Sequence, residues 1–230
     1  MYNGLILGIL GGMGPAATAE FLKLLAEKAP ASCDQEHPRM FLYSFPQIPN
    51  RTDYLVGKGV NPAPALKDGL KKLLSWGADL LAVPCNTSHY YIDNFPDEIK
   101  SKIVSIVDET INQCKEKSSE GAWLTATLGT MNMGIYQKKA KEKGYDFFVP
   151  NEEEQEKIHY VTDLVKAGDK VLAGKIYNEV CKGLWRRSDI PITCACTELP
   201  IAYNYSGLPQ DKCISSLEAL AIGCLRELYN

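Results

Sequence analysis

The chain has 230 residues and a formal net charge of −3; 45% of its residues are hydrophobic and 23% are charged. This composition excludes a disordered chain, a collagen-like chain and a nucleic-acid binder held by bulk positive charge. The length fits one large α/β domain or two domains of about 100 residues each.

Leu5 to Leu10 is short, apolar throughout and stopped by glycines, which predicts a buried strand. No apolar run reaches the roughly 18 residues that span a bilayer. Ala17-Thr18-Ala19 imitates a signal-cleavage site, but no Lys or Arg precedes Lys23, so the charged start of a signal peptide is missing and a cytoplasmic protein is expected. Pro15 suits the first turn of a helix reaching Lys28. Met40 to Phe45 predicts a second strand, and Asn61-Pro62 opens a helix with Leu66, Leu70, Leu73 and Leu74 at helical spacing. Ala78 to Val83 predicts a third strand, followed by Pro84-Cys85-Asn86-Thr87-Ser88-His89 and a helix to about Ile99; Ile103 to Val107 predicts a fourth strand.

A polar connection, Glu116 to Gly121, separates a second series. Ala122 to Thr127 is an expected strand, a basic helix follows through Lys143, and Tyr145 to Val149 is a further strand. Asn151 caps an acidic helix start, Glu152-Glu153-Glu154, and Asp169 caps the next helix after Gly168. Ile190 to Cys194 predicts a strand leading into Cys196-Thr197-Glu198-Leu199-Pro200, and a strand near Cys213 and a helix to Leu228 close the chain. Alternating strands and helices predict parallel sheets with helices on both faces.

The series runs twice. Ile6-Leu7-Gly8-Ile9-Leu10-Gly11-Gly12 aligns with Leu124 to Thr130, and Ala82 to Thr87 aligns with Thr193 to Glu198, at offsets of 118 (6 to 124) and 111 (82 to 193) residues. One cysteine therefore falls at the same point of both halves: Cys85 and Cys196. Of the eight cysteines, Cys114, Cys181 and Cys224 fit helical core patterns, most are expected as free thiols, and no pair has zinc-knuckle spacing.

In open α/β sheets, ligands bind beyond the carboxyl ends of the strands. Cys85 and Cys196 sit there, each before a helix start whose dipole is expected to lower a thiol pKa. Unperturbed, only about 3% would be thiolate at pH 7. Either cysteine alone also fits a buried strand-end thiol; the symmetric pair favours function. Two thiols across a cleft suit inversion at a carbon acid, one removing a proton and the other returning one to the opposite face.

These residues carry a resemblance. Gly8-Ile9-Leu10-Gly11-Gly12-Met13-Gly14-Pro15, Pro46-Gln47-Ile48-Pro49-Asn50-Arg51-Thr52, Pro84 to His89, Glu154-Gln155 and Cys196-Thr197-Glu198-Leu199 resemble the cofactor-independent aspartate/glutamate racemase family, most closely its aspartate racemases. The resemblance implies two similar α/β lobes related by a pseudo-twofold axis, residues 1–101 with 211–230 and residues 102–210, with the active site in the cleft. It gives the closing strand and helix to the first lobe. It implies L-/D-aspartate racemisation, no cofactor, a small acidic amino acid as substrate and a homodimer. Cys85 and Cys196 become the acid/base thiols. Asn86, Thr87 and Ser88 bind substrate, and Arg51, placed in the Pro-Gln-Ile-Pro loop, and Lys166 hold carboxylates, for which Arg suits a bidentate grip. Met13, Thr127, Thr130, Thr197 and Glu198 line the pocket. Ala195 departs from the usual family glycine before the second cysteine.

Rival readings exist. Gly12-Met13-Gly14-Pro15-Ala16-Ala17 fits the loose dinucleotide pattern G-x-G-x-x-A, yet the next strand does not end in the acidic residue that would hold a ribose. A two-lobed anion-binding protein without catalysis explains the repeat but not the matched cysteines. Glutamate, or both acidic amino acids, is the nearest alternative substrate. His89 fits a helix-start histidine packed on its own turn. No metal site, pyridoxal site, nucleic-acid surface or membrane segment is evident.

Overall fold

The computed structural model describes residues 1–230 and divides into two compact lobes, Met1–Ile106 with Leu217–Asn230, and Val107–Ser216. In chain order the first series is β1 (Leu7–Gly11), α1 (Pro15–Lys28), β2 (Met40–Ser44), α2 (Arg51–Leu55), α3 (Ala63–Ser75), β3 (Leu80–Ala82), α4 (His89–Ile92), α5 (Asp97–Lys100), β4 (Ile103–Val104) and α6 (Ile106–Lys117). The second is β5 (Ala122–Thr125), α7 (Leu128–Asn132), α8 (Ile135–Glu142), β6 (Phe147–Phe148), α9 (Glu152–Lys166), α10 (Lys170–Trp185), β7 (Ile192–Cys194), α11 (Leu199–Asn204), β8 (Cys213–Ser215) and α12 (Ser216–Leu228).

Each lobe holds a four-stranded, all-parallel sheet, and the two orders match: β2-β1-β3-β4 and β6-β5-β7-β8. The expected α/β class with two parallel sheets flanked by helices is thus the observed one, and β1 and β5 stand at the same point of the topology, but the register places Ile9, paired with Ala82, and not Ile6 where Leu124 stands paired with Thr193. Both are buried along their whole length, the pattern of a strand covered on both faces.

The helices form where their apolar spacing and caps place them. Leu66, Leu70 and Leu73 of α3 are fully buried against Leu10, Leu81 and Val83, each such burial contributing roughly 1.5–3 kcal/mol. In the second lobe Ile158, Val161 and Val165 of α9 pack with Tyr177, Val180 and Leu184 of α10. Asn151 and Glu154 close a reciprocal capping box on α9, and the Asp169 side chain caps α10.

Three expectations need correction. The closing strand belongs to the second sheet: β8 pairs in parallel with β7, Cys194 opposite Ser215, and only α12 returns to the first lobe. Ile106 and Val107 open α6 instead of extending the fourth strand, so most of α6 lies in the second lobe. The single helices expected after Cys85 and after Gly129 are each two pieces, interrupted at Pro96 and at Gly134, which has φ of 63°. No helix is long and apolar enough to cross a membrane.

Candidate active site

In the first lobe β3 ends at Ala82, and the chain turns sharply: the Cys85 N–H donates to the Val83 carbonyl at 2.7 Å. Pro84 has no N–H to offer a neighbouring strand. Cys85, Asn86, Thr87 and Ser88 are all buried at this carboxyl end of the sheet. The turn continues into α4 through His89 N–H to Asn86 O (3.1 Å) and Tyr90 N–H to Thr87 O (3.3 Å). His89 packs on its own turn, as expected: its Nδ1 lies 3.0 Å from the Cys85 carbonyl, which can only accept, so Nδ1 carries the proton. Met13 reaches the same turn, and the Ser88 hydroxyl donates to its sulfur at 3.6 Å. The glycine run after β1 is a tight turn: at Gly12, φ is 92°, and a Cβ would lie 2.7 Å from the backbone nitrogens of Phe45 and Pro46.

Arg51 is not a loop residue but the first residue of α2, because Asn50 caps that helix by accepting from the N–H groups of Thr52 and Asp53. One guanidinium nitrogen donates to both the Ile48 and Pro49 carbonyls at 3.1 Å, and Nε is buried without a partner. The Arg51 carbonyl accepts from the Tyr91 hydroxyl at 2.6 Å. Burial first, and the neighbouring Tyr54 second, push the Tyr91 phenol well up against the opposing pull of Arg51, so it remains a donor. The sequence reading does not single out Tyr91.

In the second lobe β7 ends at Cys194, and the Ala195 N–H donates to the Thr125 carbonyl at 2.8 Å. The Cys196 thiol then donates to Glu198 Oε2 at 3.1 Å, and the Thr197 hydroxyl donates to the same oxygen at 3.3 Å. All three are buried. This corrects the expected lowering of the Cys196 pKa: burial first, and the Glu198 carboxylate second, push it well up, against the opposing pull of Lys166 and of the Glu198 N–H. The helix that follows Cys196 has six residues and cannot offset that.

Lys166 ends α9, with Nζ 3.1 Å from Asp163 Oδ1. Burial pulls its pKa down, but the negative charges of Cys196, Glu198 and Asp163 outweigh this and raise it, so the ammonium persists. Thr127 caps α7, accepting from the Thr130 N–H at 3.3 Å, and its hydroxyl meets that of Thr130 at 3.1 Å. Gln155, also buried, donates through Nε2 to the Ala126 carbonyl at 2.8 Å and fixes the chain beside Thr127. Its place on α9 was legible; its polar duty there was not.

The sequence-proposed residues thus form two groups: Met13, Arg51, Cys85, Asn86, Thr87 and Ser88 in the first lobe, and Thr127, Thr130, Lys166, Cys196, Thr197 and Glu198 in the second. No group of three or more His, Cys, Asp or Glu side chains is arranged to hold a metal ion, and all eight cysteines are free.

Residues 10–221 match the family model described as Asp/Glu/hydantoin racemase. The broad specificity amino-acid racemase RacX of Bacillus subtilis (strain 168) is 27% identical over 201 residues, 84% of this chain and 86% of that protein. Among solved structures, Picrophilus torridus aspartate racemase superposes with a TM-score of 0.87 at 31% identity, covering 98% of this chain and 94% of its own. A glutamate racemase, RacE1 of Bacillus anthracis, shares the fold at 15% identity and a TM-score of 0.66, covering 99% of this chain and 82% of its own. With the family pattern running through both sheets and both cysteine turns, the chain belongs to the Asp/Glu/hydantoin racemase family and is an isomerase.

Proposed function

We propose that the protein interconverts L- and D-aspartate, with Cys85 and Cys196 as its two proton-carrying groups. The observation that carries this reading is the equivalence of the two thiols: each is buried just past the carboxyl end of the strand at the same place in its sheet, β3 or β7. Such a pair suits inversion at carbon. One sulfur, as thiolate, takes the α-proton; the electron pair of the broken C–H bond stays on the α-carbon, delocalised into the carboxylate. The other sulfur, as thiol, gives its proton to the opposite face. One proton leaves, one arrives, and no electron is transferred, so side chains alone balance the step.

Charge assigns the remaining roles. Arg51 and Lys166 would neutralise the two carboxylates of the substrate, Asn86, Thr87, Ser88, Thr127, Thr130 and Thr197 would offer polar hydrogens, and Met13 would shape the wall. Glu198 already accepts the Cys196 proton in its hydrogen bond. It would receive that proton whenever Cys196 acts as the base. Likeness to an aspartate racemase at 31% identity favours aspartate over glutamate. The same reading carries a homodimer.

The test is exchange of the α-proton in deuterated water, on both enantiomers of aspartate and glutamate, without pyridoxal phosphate. Aspartate is expected to wash in deuterium from both sides. Exchange on glutamate alone moves the substrate, and none on any of the four ends the reading.

A further inference from the structure

The first lobe carries a concave feature that none of Cys85, Asn86, Thr87 and Ser88 lines. It is a surface cavity of about 600 Å³, inside the range of roughly 300–1,000 Å³ typical of small-molecule sites. Its wall is aromatic: Tyr54 of α2, Tyr90 and Tyr91 of α4, and Phe95. Tyr90 and Tyr91 meet edge to face at 5.4 Å, and Tyr54 lies tilted against Tyr91 at 6.1 Å. Its fringe carries one charge of each sign, Lys67 and Asp68 on α3. Neither is engaged by an ion pair or hydrogen bond. Tyr54 and Tyr90 are 39% and 36% exposed.

We propose that this cavity binds a small aromatic zwitterion, chemically an aromatic amino acid, with its ring on Tyr54 and Tyr90, its carboxylate at Lys67 and its ammonium at Asp68. An anion alone would meet Asp68 with like charge, and a cation alone would meet Lys67. An aliphatic ligand would leave the π faces unused. An aromatic side chain of another protein would bring a ring but neither free end group.

The cavity also touches the seat of Arg51. Tyr54 shares the five-residue helix α2 with Arg51, and the Tyr91 hydroxyl holds the Arg51 carbonyl at 2.6 Å. An occupant on Tyr54, and on Tyr90, which meets Tyr91 edge to face, therefore alters where Arg51 stands. This coupling rests on the racemase reading; the binding does not.

Calorimetry with L-phenylalanine tests the binding on the intact chain, with phenethylamine and 3-phenylpropionate as probes lacking one end group each. Saturable binding of one L-phenylalanine is expected, roughly tenfold or more weaker for either truncated probe, since each loses a charge-assisted bond. Asp68→Asn should weaken L-phenylalanine while tightening phenylpropionate, which no longer meets a like charge, and Lys67→Met should weaken L-phenylalanine while tightening phenethylamine. Tyr90→Ala should cost about tenfold and Tyr90→Phe little. No binding at millimolar probe, binding indifferent to Tyr90→Ala and Asp68→Asn, or a cavity closed in solution by a second copy that Tyr90→Ala releases overturns the site. For the coupling, L-phenylalanine should change KM for the acidic amino acid more than kcat. An unchanged KM alongside intact binding overturns the coupling, while the deuterium exchange judges the racemase reading separately.

Discussion

The two cysteine turns occupy the same point of the same topology, yet their chemistry differs. Two residues past Cys85 stands the neutral Thr87; two residues past Cys196 stands Glu198, whose carboxylate takes the thiol hydrogen. Immediately before Cys85 is Pro84, which gives no backbone hydrogen, whereas Ala195 ties its turn to β5 through Thr125. Duplicated architecture delivers two sulfurs; local substitutions set how each one holds its proton and how firmly its turn is pinned. If the two thiols act as proposed, giving a proton on one face and taking one on the other, that inequality is of use.

The largest effect breaks the symmetry outright. Cys85→Ala and Cys196→Ala should each lower racemisation by about a thousandfold, the scale of losing a positioned acid or base. Circular dichroism of D-aspartate formation reads this, and a variant keeping a tenth of the rate would remove its thiol from the mechanism. Next, Glu198→Gln tests the inequality. It should slow turnover by roughly a hundredfold in the direction that uses Cys196 as base, because the proton acceptor is lost. The carboxylate also raises the Cys196 pKa, so its removal should move the alkaline rise of the rate to lower pH. A loss of rate with an unmoved pH profile would make Glu198 structural. Lys166→Met should act with opposite sign: Lys166 lowers the Cys196 pKa, so the rise should move to higher pH, and KM for aspartate should increase about tenfold as one carboxylate partner goes.

Much of this comparison was legible in the sequence. The apolar runs at β1, β3, β5 and β7 and the glycine stops marked the strands along the chain and the two-fold series, and cap residues such as Asn151 and Asp169 marked helix starts. What eluded the sequence was set by partners distant along the chain. The passage of most of α6 into the second lobe leaves no local trace, because α6 follows β4 after one residue; the family resemblance implied the return of α12 to the first lobe but misplaced the closing strand, which pairs with β7. Arg51 looked like a loop residue, since a five-residue helix is too short to show a period. The Cys196 pKa went the opposite way to expectation because helix-start reasoning counts a dipole and cannot count burial or a carboxylate folded back onto the sulfur. The side-chain hydrogen bonds of Tyr91 to the Arg51 carbonyl and of Gln155 to the Ala126 carbonyl depend on tertiary geometry alone.

The smallest test exchanges the residue before the second thiol. Ala195→Pro imports the first lobe's residue and leaves the Thr125 carbonyl without its 2.8 Å donor. An unsatisfied buried acceptor costs about 1–3 kcal/mol, so a drop of that size in unfolding free energy is expected. Ala195→Gly keeps the N–H and its bond, losing one buried methyl and adding freedom to the unfolded chain, for roughly 1 kcal/mol at most beyond the methyl itself. If the backbone bond is what pins the Cys196 turn, the proline variant should lose activity as well as stability while the glycine variant keeps its rate. Equal losses from both would mean that the methyl of Ala195, fully buried at this turn, holds the sulfur in place and the bond to β5 does not.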